Sequence, residues 1–303
     1  MTSARLGFVI LSHDNPKQLL RLTSRLNSMF GFPPIACHHD FSKSNLNEPS
    51  FTHNIEFVKP HIVTARGRWS VVEATISALR VLMERSDAPQ WFTIISGADY
   101  PIKPASVILS DFGDTECDAF IHAVSIDPSA AASPFQQRAV WRYFRPHLEL
   151  PTWLQRYMPF AENRALPRWW PSRKHPFSNV FRCYAGSQFF SGNARCARRI
   201  LSFHSSASDL KDFFVRWKVP SPEEAYFQCI VVNDTSLTVS SDNRRYIDWS
   251  PGTGHPKTLT KADLPALVRS NAHFARKFDP ALDDEIYVRL DETLSSAGAA
   301  RPP

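Results

Sequence analysis

The chain has 303 residues, of which 43% are hydrophobic, and a formal net charge of +6 at pH 7. This composition excludes a disordered or fibrous chain and allows a sizeable core in one large domain or two small ones. Proline (24 residues) is abundant and glycine (10 residues) is scarce, which indicates stiff connections rather than flexible linkers. Because no low-complexity break divides the chain, we predict a single domain over residues 1–294 and a disordered tail over 295–303.

The first part of the chain alternates apolar runs with amphipathic segments. Residues 6–11, 34–38 and 91–95 are predicted strands, and residues 16–30 form a predicted amphipathic helix. Ser70 and Glu73 form a capping-box pattern that predicts the start of a second helix. This β-α-β-α-β order is typical of an α/β fold with a mostly parallel central sheet flanked by helices.

The second part of the chain contains shorter predicted elements. The predicted strands cover residues 118–124, 187–191 and 246–249. The predicted helices cover residues 193–203, 263–270 and 284–294, and a further helix opens at Ser221.

The strand over residues 91–95 is followed by a turn that ends in Asp99, Tyr100 and Pro101. Open α/β sheets place their ligand sites at the carboxyl ends of strands. The turn at Asp99 is therefore a candidate site.

A basic, tryptophan-rich segment covers residues 138–182. It carries nine arginines and lysines against two acids, and four of the eight tryptophans. Such a segment suits an anionic glycan, a membrane surface or a nucleic acid. The alternative is a proline-rich excursion that packs its aromatic rings on the core and solvates its arginines.

Cysteine usage and the first residues suggest a cellular location. The five cysteines form no CxxC pair and one of them must stay unpaired, which favours a reducing cytosol. The first apolar stretch is too short to span a membrane, so no signal peptide or anchor is expected near residue 1. We expect a cytoplasmic protein. We also expect it to contact the inner membrane peripherally.

Four short motifs follow one another in a fixed order. They are SGADYPIK at residues 96–103, GSQFF at 186–190, SPEE at 221–224 and FARKFD at 274–279. Together they resemble glycosyltransferase family 14, which contains the core-2/I-branching β-1,6-N-acetylglucosaminyltransferases and the peptide O-xylosyltransferases. The resemblance covers residues 6–294. It implies a bacterial-type member with a GT-A-like fold, in which residues 1–125 bind the nucleotide and residues 126–294 form the acceptor half.

The resemblance assigns Glu224 as the catalytic base that removes the acceptor proton. Taken alone, the SPEE motif is also a good helix start, with Ser221 as the cap and Glu224 as its third-position partner. The presence of the other motifs in order favours catalysis. Glu223 is placed with the residues that bind the sugar and the acceptor.

The resemblance also implies cationic side chains at the diphosphate. Asp99 is one carboxylate where metal-dependent enzymes use an Asp-x-Asp motif, so it is a poor site for a divalent ion. Arg276 and Lys277 match the diphosphate-binding region of the family, and Lys257 or Arg245 replaces a second family cation. No cofactor and no divalent metal are expected, and a metal-dependent enzyme using Asp99 is the alternative.

The remaining assignments concern the nucleoside and the sugar. The predicted nucleoside-binding residues are His13, Asp40 and Arg66. The predicted sugar- and acceptor-binding residues are Asp99, Trp69, Gly186, Ser187, Glu223 and Trp249. Aromatic rings such as Trp249 pair well with the apolar face of a pyranose, although a core position is the alternative.

The expected function is inverting, metal-independent transfer of a sugar from a UDP-sugar donor to a glycan or lipid-linked glycan, in bacterial surface polysaccharide synthesis. N-acetylglucosamine is the first choice of sugar, and UDP-xylose and UDP-glucuronate are alternative donors. A nonspecific nucleic-acid-binding protein that uses the basic segment is the alternative from another class, but no RNP, KH or zinc pattern accompanies the charge, so nucleic acid is not expected as a partner.

Overall fold

The structure is a computed structural model that describes residues 4–145, 174–206, 208–252 and 255–299. The strands in these ranges are β1 Leu6–Ser12, β2 Ile35–His39, β3 Ile55–Phe57, β4 Trp91–Ser96, β5 Asp99–Pro101, β6 Ala119–Phe120, β7 Ala123–Ser125, β8 Tyr184–Gly186, β9 Ser191–Asn193, β10 Val239–Ser240, β11 Arg245–Ile247 and β12 Phe274–Arg276. The α-helices are α1 Pro16–Phe30, α2 Trp69–Glu84, α3 Ala105–Gly113, α4 Pro134–Phe144, α5 Ala194–Ser205, α6 Asp209–Arg216, α7 Tyr226–Val232, α8 Leu264–Arg269 and α9 Glu285–Ala299.

The central sheet has seven strands in the order β10-β6-β9-β4-β1-β2-β3. All neighbouring strands are parallel except β9, which runs antiparallel to both β4 and β6. Strands β1 and β4 lie at the centre of this sheet, where both faces are covered, which explains their continuous apolar sequences. The α/β fold with a mostly parallel sheet flanked by helices confirms the predicted fold class.

Successive residues of the central strands point into two cores on opposite faces of the sheet. Val9 and Ile94 pack in the core that contains α2, α5 and α7. Phe8 and Ile95 pack in the core that contains α1, α3 and α9. The alternation follows from the two-residue period of a strand.

Helix α1 has the predicted bounds because both of its ends are specified locally. The Asn15 side chain accepts a hydrogen bond from Gln18 N at 3.2 Å and caps the first turn. Gly31 has a φ of 65° and its amide donates to Asn27 O at 3.0 Å, which closes the last turn. Helix α5 is likewise capped by Asn193, as its predicted start indicated.

A second, three-stranded sheet has the order β11-β12-β5. Strand β12 is parallel to β11 and antiparallel to β5, and the register of the antiparallel pair places Arg276 opposite Asp99. The turn at Asp99 and the segment around Lys277, which are far apart in sequence, are therefore neighbours in space.

The capping box predicted at Ser70 and Glu73 is wrong. Helix α2 begins at Trp69, and no side chain caps its first turn. Ser70 Oγ accepts a hydrogen bond from Ala65 N at 3.0 Å, and Glu73 Oε1 accepts one from Trp69 Nε1 at 2.6 Å. The carboxylate is used by the indole, so it does not reach back to the backbone.

Two predicted strands are divided in the structure. The apolar run over residues 118–124 forms β6 in the central sheet and β7 in a separate hairpin with β8. The run over residues 187–191 is not extended throughout, because β8 ends at Gly186 and β9 begins at Ser191. At the carboxyl end of the chain, α9 continues past Leu294 to Ala299, where the sequence predicted a disordered tail from residue 295.

Most of the basic segment predicted over residues 138–182 lies outside the described residues, including Trp153, Trp169 and Trp170. Its first part forms the end of α4, which carries Arg138 and Arg142. None of the helices in the described ranges is both long enough and apolar enough to cross a bilayer.

Candidate active site

The carboxyl ends of three parallel strands meet at one edge of the central sheet. Asp40 N, which follows β2, donates to Ser12 O at the end of β1, at 2.9 Å. Gly97 N, which follows β4, donates to Leu11 O at 2.9 Å, and a Cβ on Gly97 would lie 3.2 Å from Ser12 Oγ. This edge is the position at which open α/β sheets bind ligands.

Asp99 is completely buried at this edge. Its Oδ2 accepts a hydrogen bond from Ser96 N at 2.8 Å, and its Oδ1 accepts one from Ser96 Oγ at 2.9 Å. Arg276 Nε lies 3.3 Å from Oδ1. Burial raises the pKa of Asp99, and the positive charge of Arg276 opposes that shift. Both carboxylate oxygens are therefore engaged by the protein itself.

Arg276 connects two of the sequence motifs. Its guanidinium lies over the Phe189 ring, 4.1 Å from the ring centroid, so the FARKFD motif contacts the GSQFF motif. The side chain is 22% exposed, and desolvation lowers its pKa. The positive charge of Arg66 also lowers the pKa of Arg276, so the two guanidiniums are near enough to repel each other.

Arg245 lies behind this pair, and the protein uses its donors. Its Nη2 donates to Ser191 Oγ at 3.3 Å, and its Nη1 donates to Arg244 O at 3.2 Å. Desolvation lowers the pKa of Arg245 to about 10, although the charge of Asp99 opposes the shift. Its predicted role at the diphosphate stays a prediction. Its contacts with Ser191, with the backbone and with the charge of Asp99 are those of a residue that stabilises the structure around the site.

Lys277 is half-buried, and its ammonium has no hydrogen-bond or ion-pair partner among the residues that the structure describes. Its backbone is fixed on both sides: Leu259 N donates to Lys277 O at 2.9 Å, and Phe278 N donates to Ala98 O at 2.8 Å. The second bond holds the lysine beside the turn that leads to Asp99. An uncompensated cation therefore lies at the edge of the sheet.

Lys257, the other predicted cation, is paired with a carboxylate. Its Nζ lies 2.6 Å from Asp263 Oδ1, and this hydrogen bond raises its pKa. Its backbone amide donates to Asp248 O at 2.8 Å and closes the loop that carries Trp249.

The turn formed by residues 221–224, called here the Ser221 turn, carries Glu224. Ser221 has a φ of 51°, and Pro222–Glu224 forms a single turn of 3-10 helix before α7. No side chain caps this turn, so the interpretation of SPEE as a capping box is wrong. The Glu224 carboxylate instead forms a short ion pair with Arg142 of α4 and remains 36% exposed.

Helix α4 also binds the backbone of the Ser221 turn. The hydroxyl of Tyr143, which is completely buried, donates to Ser221 O at 3.0 Å. Burial raises the pKa of Tyr143 well above its ordinary value, so the phenol remains a donor. Arg142 and Tyr143 together connect α4 to the carboxylate and to the backbone of this turn.

The loop of residues 65–68, called here the Gly67 loop, contacts the Ser221 turn from the other side. Ser221 N donates to Gly67 O at 2.9 Å. Gly67 has a φ of 68°, which favours glycine, and a Cβ there would lie 3.5 Å from Ser221 Oγ. This contact brings the loop that carries Arg66 against the turn that carries Glu224.

Glu223 differs sharply from its neighbour Glu224. It is 7% exposed, and its Oε2 is buried without a hydrogen-bond partner in the described part of the chain. Desolvation raises the pKa of Glu223 to about 7, while the nearby amides of Glu223 itself and Gly67 oppose the shift. The sequence predicted contact with the sugar or the acceptor, but the structure places this carboxyl inside the protein.

Asp40, a predicted nucleoside ligand, is buried and already bonded. Its Oδ1 accepts from Ser42 Oγ at 2.6 Å, and its Oδ2 accepts from Thr64 N at 2.7 Å. Burial would raise the pKa of Asp40, but the hydrogen bonds from Ser42 and Thr64 outweigh it and hold the pKa well below its usual range. In this structure Asp40 fixes the segment that leads into the Gly67 loop.

The other two predicted nucleoside residues lie at the surface. His13 is exposed after β1, 3.7 Å from Asp14. The Arg66 guanidinium contacts both ring nitrogens of His255, at 3.1 and 3.0 Å. Arg66 therefore connects the Gly67 loop to His255.

Trp69 does not present an open ring face to a sugar. It stacks on His204 and on Phe214, with 6.2 Å between ring centroids in each case. Its Nε1 is used by Glu73. Trp249, in contrast, is 57% exposed and available to a ligand.

Gly186 and Ser187 have clear packing roles. A Cβ on Gly186 would lie 1.8 Å from His122 O, so only glycine fits against β7. Ser187 O accepts a hydrogen bond from the buried Gln228 Nε2 at 2.7 Å. This bond connects the GSQFF motif to α7, which follows the SPEE motif, so all four motifs are linked by contacts.

Sequence reasoning missed Arg142 and Tyr143 as site residues. Arg142 was recognised only as part of a basic segment, and its partner Glu224 is 82 residues later in the chain. An amphipathic helix that ends in an Arg-Tyr pair was the available signal, and it does not identify a distant partner.

In the described ranges, no cluster of three or more histidine, cysteine, aspartate or glutamate residues could hold a metal ion. Asp99, the carboxylate of the turn after β4, is also engaged by Ser96 and Arg276. These residues fit a cation at this position poorly.

Known proteins resemble this chain in sequence. The beta-glucuronosyltransferase GlcAT14A of Arabidopsis thaliana is 28% identical over 266 residues, which cover 81% of this chain and 51% of the relative. The beta-glucuronosyltransferase GlcAT14B of the same plant is 27% identical over 246 residues, which cover 75% of this chain and 50% of the relative. The chain thus spans about half the length of these curated relatives.

A structural alignment with the galactosyltransferase LgtC, solved in complex with donor and acceptor sugar analogues, covers 96% of this chain and 95% of that chain. Its TM-score is 0.37 and its identity is 11%, a level that carries no functional inference. The family model described as "Branch: Core-2/I-Branching enzyme" matches residues 8–268, which is most of the chain and includes three of its four motifs. The chain therefore belongs to the Core-2/I-Branching enzyme family, glycosyltransferase family 14.

Proposed function

We propose that this protein is an inverting glycosyltransferase that moves a sugar from a UDP-sugar to a hydroxyl of a glycan or lipid-linked glycan. The observation that carries this proposal is the docking of the Ser221 turn on the Gly67 loop by the bond from Ser221 N to Gly67 O. The turn carries the carboxylate of Glu224, which is 36% exposed, and the loop carries Arg66, whose positive charge lowers the pKa of Arg276. This arrangement supports a site in which Glu224 is the base and Arg66, Arg276 and Lys277 are the cations.

The reaction follows from this arrangement. Glu224 accepts the proton of the acceptor hydroxyl while that oxygen attacks the anomeric carbon. The bond from the anomeric carbon to the β-phosphate oxygen breaks, and UDP leaves with the electron pair. A single in-line displacement inverts the anomeric configuration. The ion pair with Arg142 holds the carboxylate in a fixed orientation during this step.

Fixed cations stabilise the negative charge that develops on UDP. Lys277 is suited to this task because its ammonium has no partner in the described part of the chain. Arg276 adds a guanidinium that is held by Asp99 and by the Phe189 ring. Charges placed in advance where a leaving group develops charge are worth several kcal/mol, about 3 per group.

We propose that transfer needs no divalent metal, because Asp99 already accepts hydrogen bonds from Ser96 and contacts Arg276. Activity should survive exhaustive treatment with EDTA and should not rise on addition of Mn²⁺ or Mg²⁺. Loss of activity in EDTA, with recovery on adding Mn²⁺, would instead support the metal-dependent alternative.

The transferred sugar is proposed to be glucuronic acid or N-acetylglucosamine. The names of the two curated relatives favour glucuronic acid. N-acetylglucosamine is the sugar that the core-2/I-branching name suggests, and xylose is the third candidate. We place the reaction in bacterial surface polysaccharide synthesis, at the cytoplasmic face of the inner membrane.

The donor is tested with a panel of UDP-sugars, with hydrolysis, transfer and thermal shift measured for each. The proposed donor should raise the melting temperature and release UDP, whereas UDP-galactose should serve as the matched hexose control. If none of the panel stabilises the protein or releases UDP, the proposed donor class is wrong.

The catalytic base is tested by Glu224→Gln, which keeps the shape of the side chain. Transfer should fall by about three orders of magnitude or more, while UDP binding stays within about twofold of the parent value. The matched control is Glu84→Gln, an exposed glutamate at the far end of α2. Unchanged turnover in Glu224→Gln would refute the assignment.

A further inference from the structure

Two consecutive glutamates of the Ser221 turn lie in opposite environments. Glu224 is 36% exposed and paired with Arg142, whereas Glu223 is 7% exposed and its Oε2 has no hydrogen-bond partner in the described residues. Burial without a hydrogen-bond partner favours the neutral form of a carboxyl group. Glu223 has no role in the mechanism proposed for Glu224.

Two charged side chains act on the Glu223 carboxyl in opposite directions: the negative charge of Glu224 raises its pKa, and the positive charge of Arg142 lowers it. From α4, Arg142 is engaged by Glu224, and the Tyr143 hydroxyl donates to Ser221 O. From α2, Glu73 is bonded to Trp69 and paired with His204. An ionised oxygen at Oε2 would therefore be a buried charge without a donor, which is strongly disfavoured.

The backbone around Glu223 is held on both sides. Ser221 N donates to Gly67 O at 2.9 Å, and the Gly67 amide lies close enough to the Glu223 carboxyl to affect its protonation. For an ionised Glu223 to reach water, the turn would have to move away from the Gly67 loop. Such a movement would shift Glu224 by way of the intervening peptide.

We propose that Glu223 is a positioning residue: as a neutral carboxyl it stays in its buried site, keeps the Ser221 turn docked on the Gly67 loop, and leaves Glu224 as the single negative charge of the turn. This inference rests on the proposed function of Glu224. Desolvation, which raises the pKa of Glu223 to about 7, agrees with it and sets the pH range in which the effect appears.

The first test is the pH dependence of transfer, with UDP-glucuronic acid and UDP-N-acetylglucosamine as donors. In the parent enzyme kcat should fall by about tenfold between pH 7 and pH 8.5, because the neutral form of Glu223 is lost. In Glu223→Gln the decline should be less than about twofold, since an amide does not ionise. The control Glu84→Gln should keep the decline of the parent enzyme.

A decline that persists in Glu223→Gln would overturn the proposal. If Glu223→Gln does not fold, Glu223→Met, which is of similar length and also cannot ionise, takes its place with the same expected profile. A role in packing alone would lower kcat equally at all pH values and would not change the shape of the profile.

The second test needs no substrate. An infrared difference spectrum of the parent protein minus Glu223→Gln should show the carbonyl band of a protonated carboxyl at pH 6, and this band should disappear at pH 9. Absence of the band at pH 6 overturns the inference. If the parent enzyme transfers no sugar from any UDP donor, the proposed function fails, but this spectrum still decides the state of Glu223.

Discussion

Arg142 and Glu224 form an ion pair between α4 and the Ser221 turn, with exposed fractions of 27% and 36% for the two side chains. The pair engages Oε2 of Glu224. The other oxygen, Oε1, has no hydrogen-bond partner among the described residues, and in the proposed mechanism it accepts the proton of the acceptor hydroxyl. Because the pair is only partly exposed, solvent screens it less than a surface salt bridge, and its main effect is to fix the direction of the carboxylate.

Replacement of Arg142 tests this positioning role. Arg142→Gln should lower kcat for transfer by about 10- to 100-fold, because the carboxylate loses its fixed orientation, while the affinity for UDP stays unchanged. Arg142→Lys should recover part of the loss, since it keeps the charge but not the planar fork. The measurement is steady-state kinetics together with calorimetric titration of UDP.

The matched control is Arg138→Gln, an exposed arginine one turn earlier on α4. It should leave kcat within about twofold of the parent value. An equal loss in the two variants would show that Arg142 acts through the general charge of α4 and not through Glu224.

Removing the charge of Asp99 should destabilise the fold. Asp99→Asn leaves the mostly buried guanidiniums of Arg276 and Arg245 without their carboxylate, and breaking such a pair costs about 3 kcal/mol of the free energy of unfolding. The measurement is urea denaturation at pH 7. Asp14→Asn, at a largely exposed position, should change the free energy of unfolding by less than about 0.5 kcal/mol, and equal effects of the two substitutions would contradict the assignment.

Replacement of glycine by alanine should have opposite effects on stability at Gly186 and at Gly113. A Cβ at residue 186 would lie 1.8 Å from His122 O, so Gly186→Ala should prevent β7 from pairing with β8 and cost about 3 kcal/mol or more. Gly113 ends α3 and has open space around it, so Gly113→Ala should be neutral or stabilising by up to about 1 kcal/mol. Thermal denaturation of the two variants, followed by circular dichroism, measures the difference.

Glu73 should make stability depend on pH in the acid range. The hydrogen bond with His204, together with that from Trp69, lowers the pKa of Glu73 to about 2 in the folded protein, against an ordinary value of 4.5. A depressed pKa stabilises the folded state above the unfolded pKa, and the stabilisation is lost as the pH falls through the folded pKa. The partial exposure of the carboxylate reduces the contribution to about 2 kcal/mol.

Glu73→Gln should therefore lower the free energy of unfolding by about 2 kcal/mol at pH 7 and by about 1 kcal/mol at pH 3. Urea denaturation at several pH values measures the two curves. A difference between the parent and the variant that stays constant from pH 7 to pH 3 would show that the contact is one of packing and not of charge.

Several elements could be predicted from the sequence because their signals are local. The bounds of α1 follow from Asn15 and Gly31, which satisfy the free backbone groups at its two ends. The central strands β1 and β4 follow from apolar runs that suit a sheet covered on both faces. The order of the four motifs was sufficient to indicate the family, since each motif is contiguous in the chain.

The predictions that failed involve residues with two local uses. Ser70 and Glu73 have the spacing of a capping box, but the Glu73 carboxylate accepts a hydrogen bond from the indole of Trp69 and does not bond to the backbone at the start of the helix. Ser221 and Glu224 have the same spacing, but the Glu224 carboxylate forms an ion pair with Arg142. Sequence spacing does not show which partner lies nearer once distant segments pack together.

By itself, the sequence determined the α/β order of the elements, the family and the residue types available for catalysis, because these depend on periodicity and on contiguous motifs. Only the tertiary structure decided that Glu223 is buried while Glu224 faces Arg142, and that Asp99 lies against Arg276. The physical reason is that protonation and hydrogen bonding depend on burial and on neighbours brought from far along the chain, which local sequence does not encode.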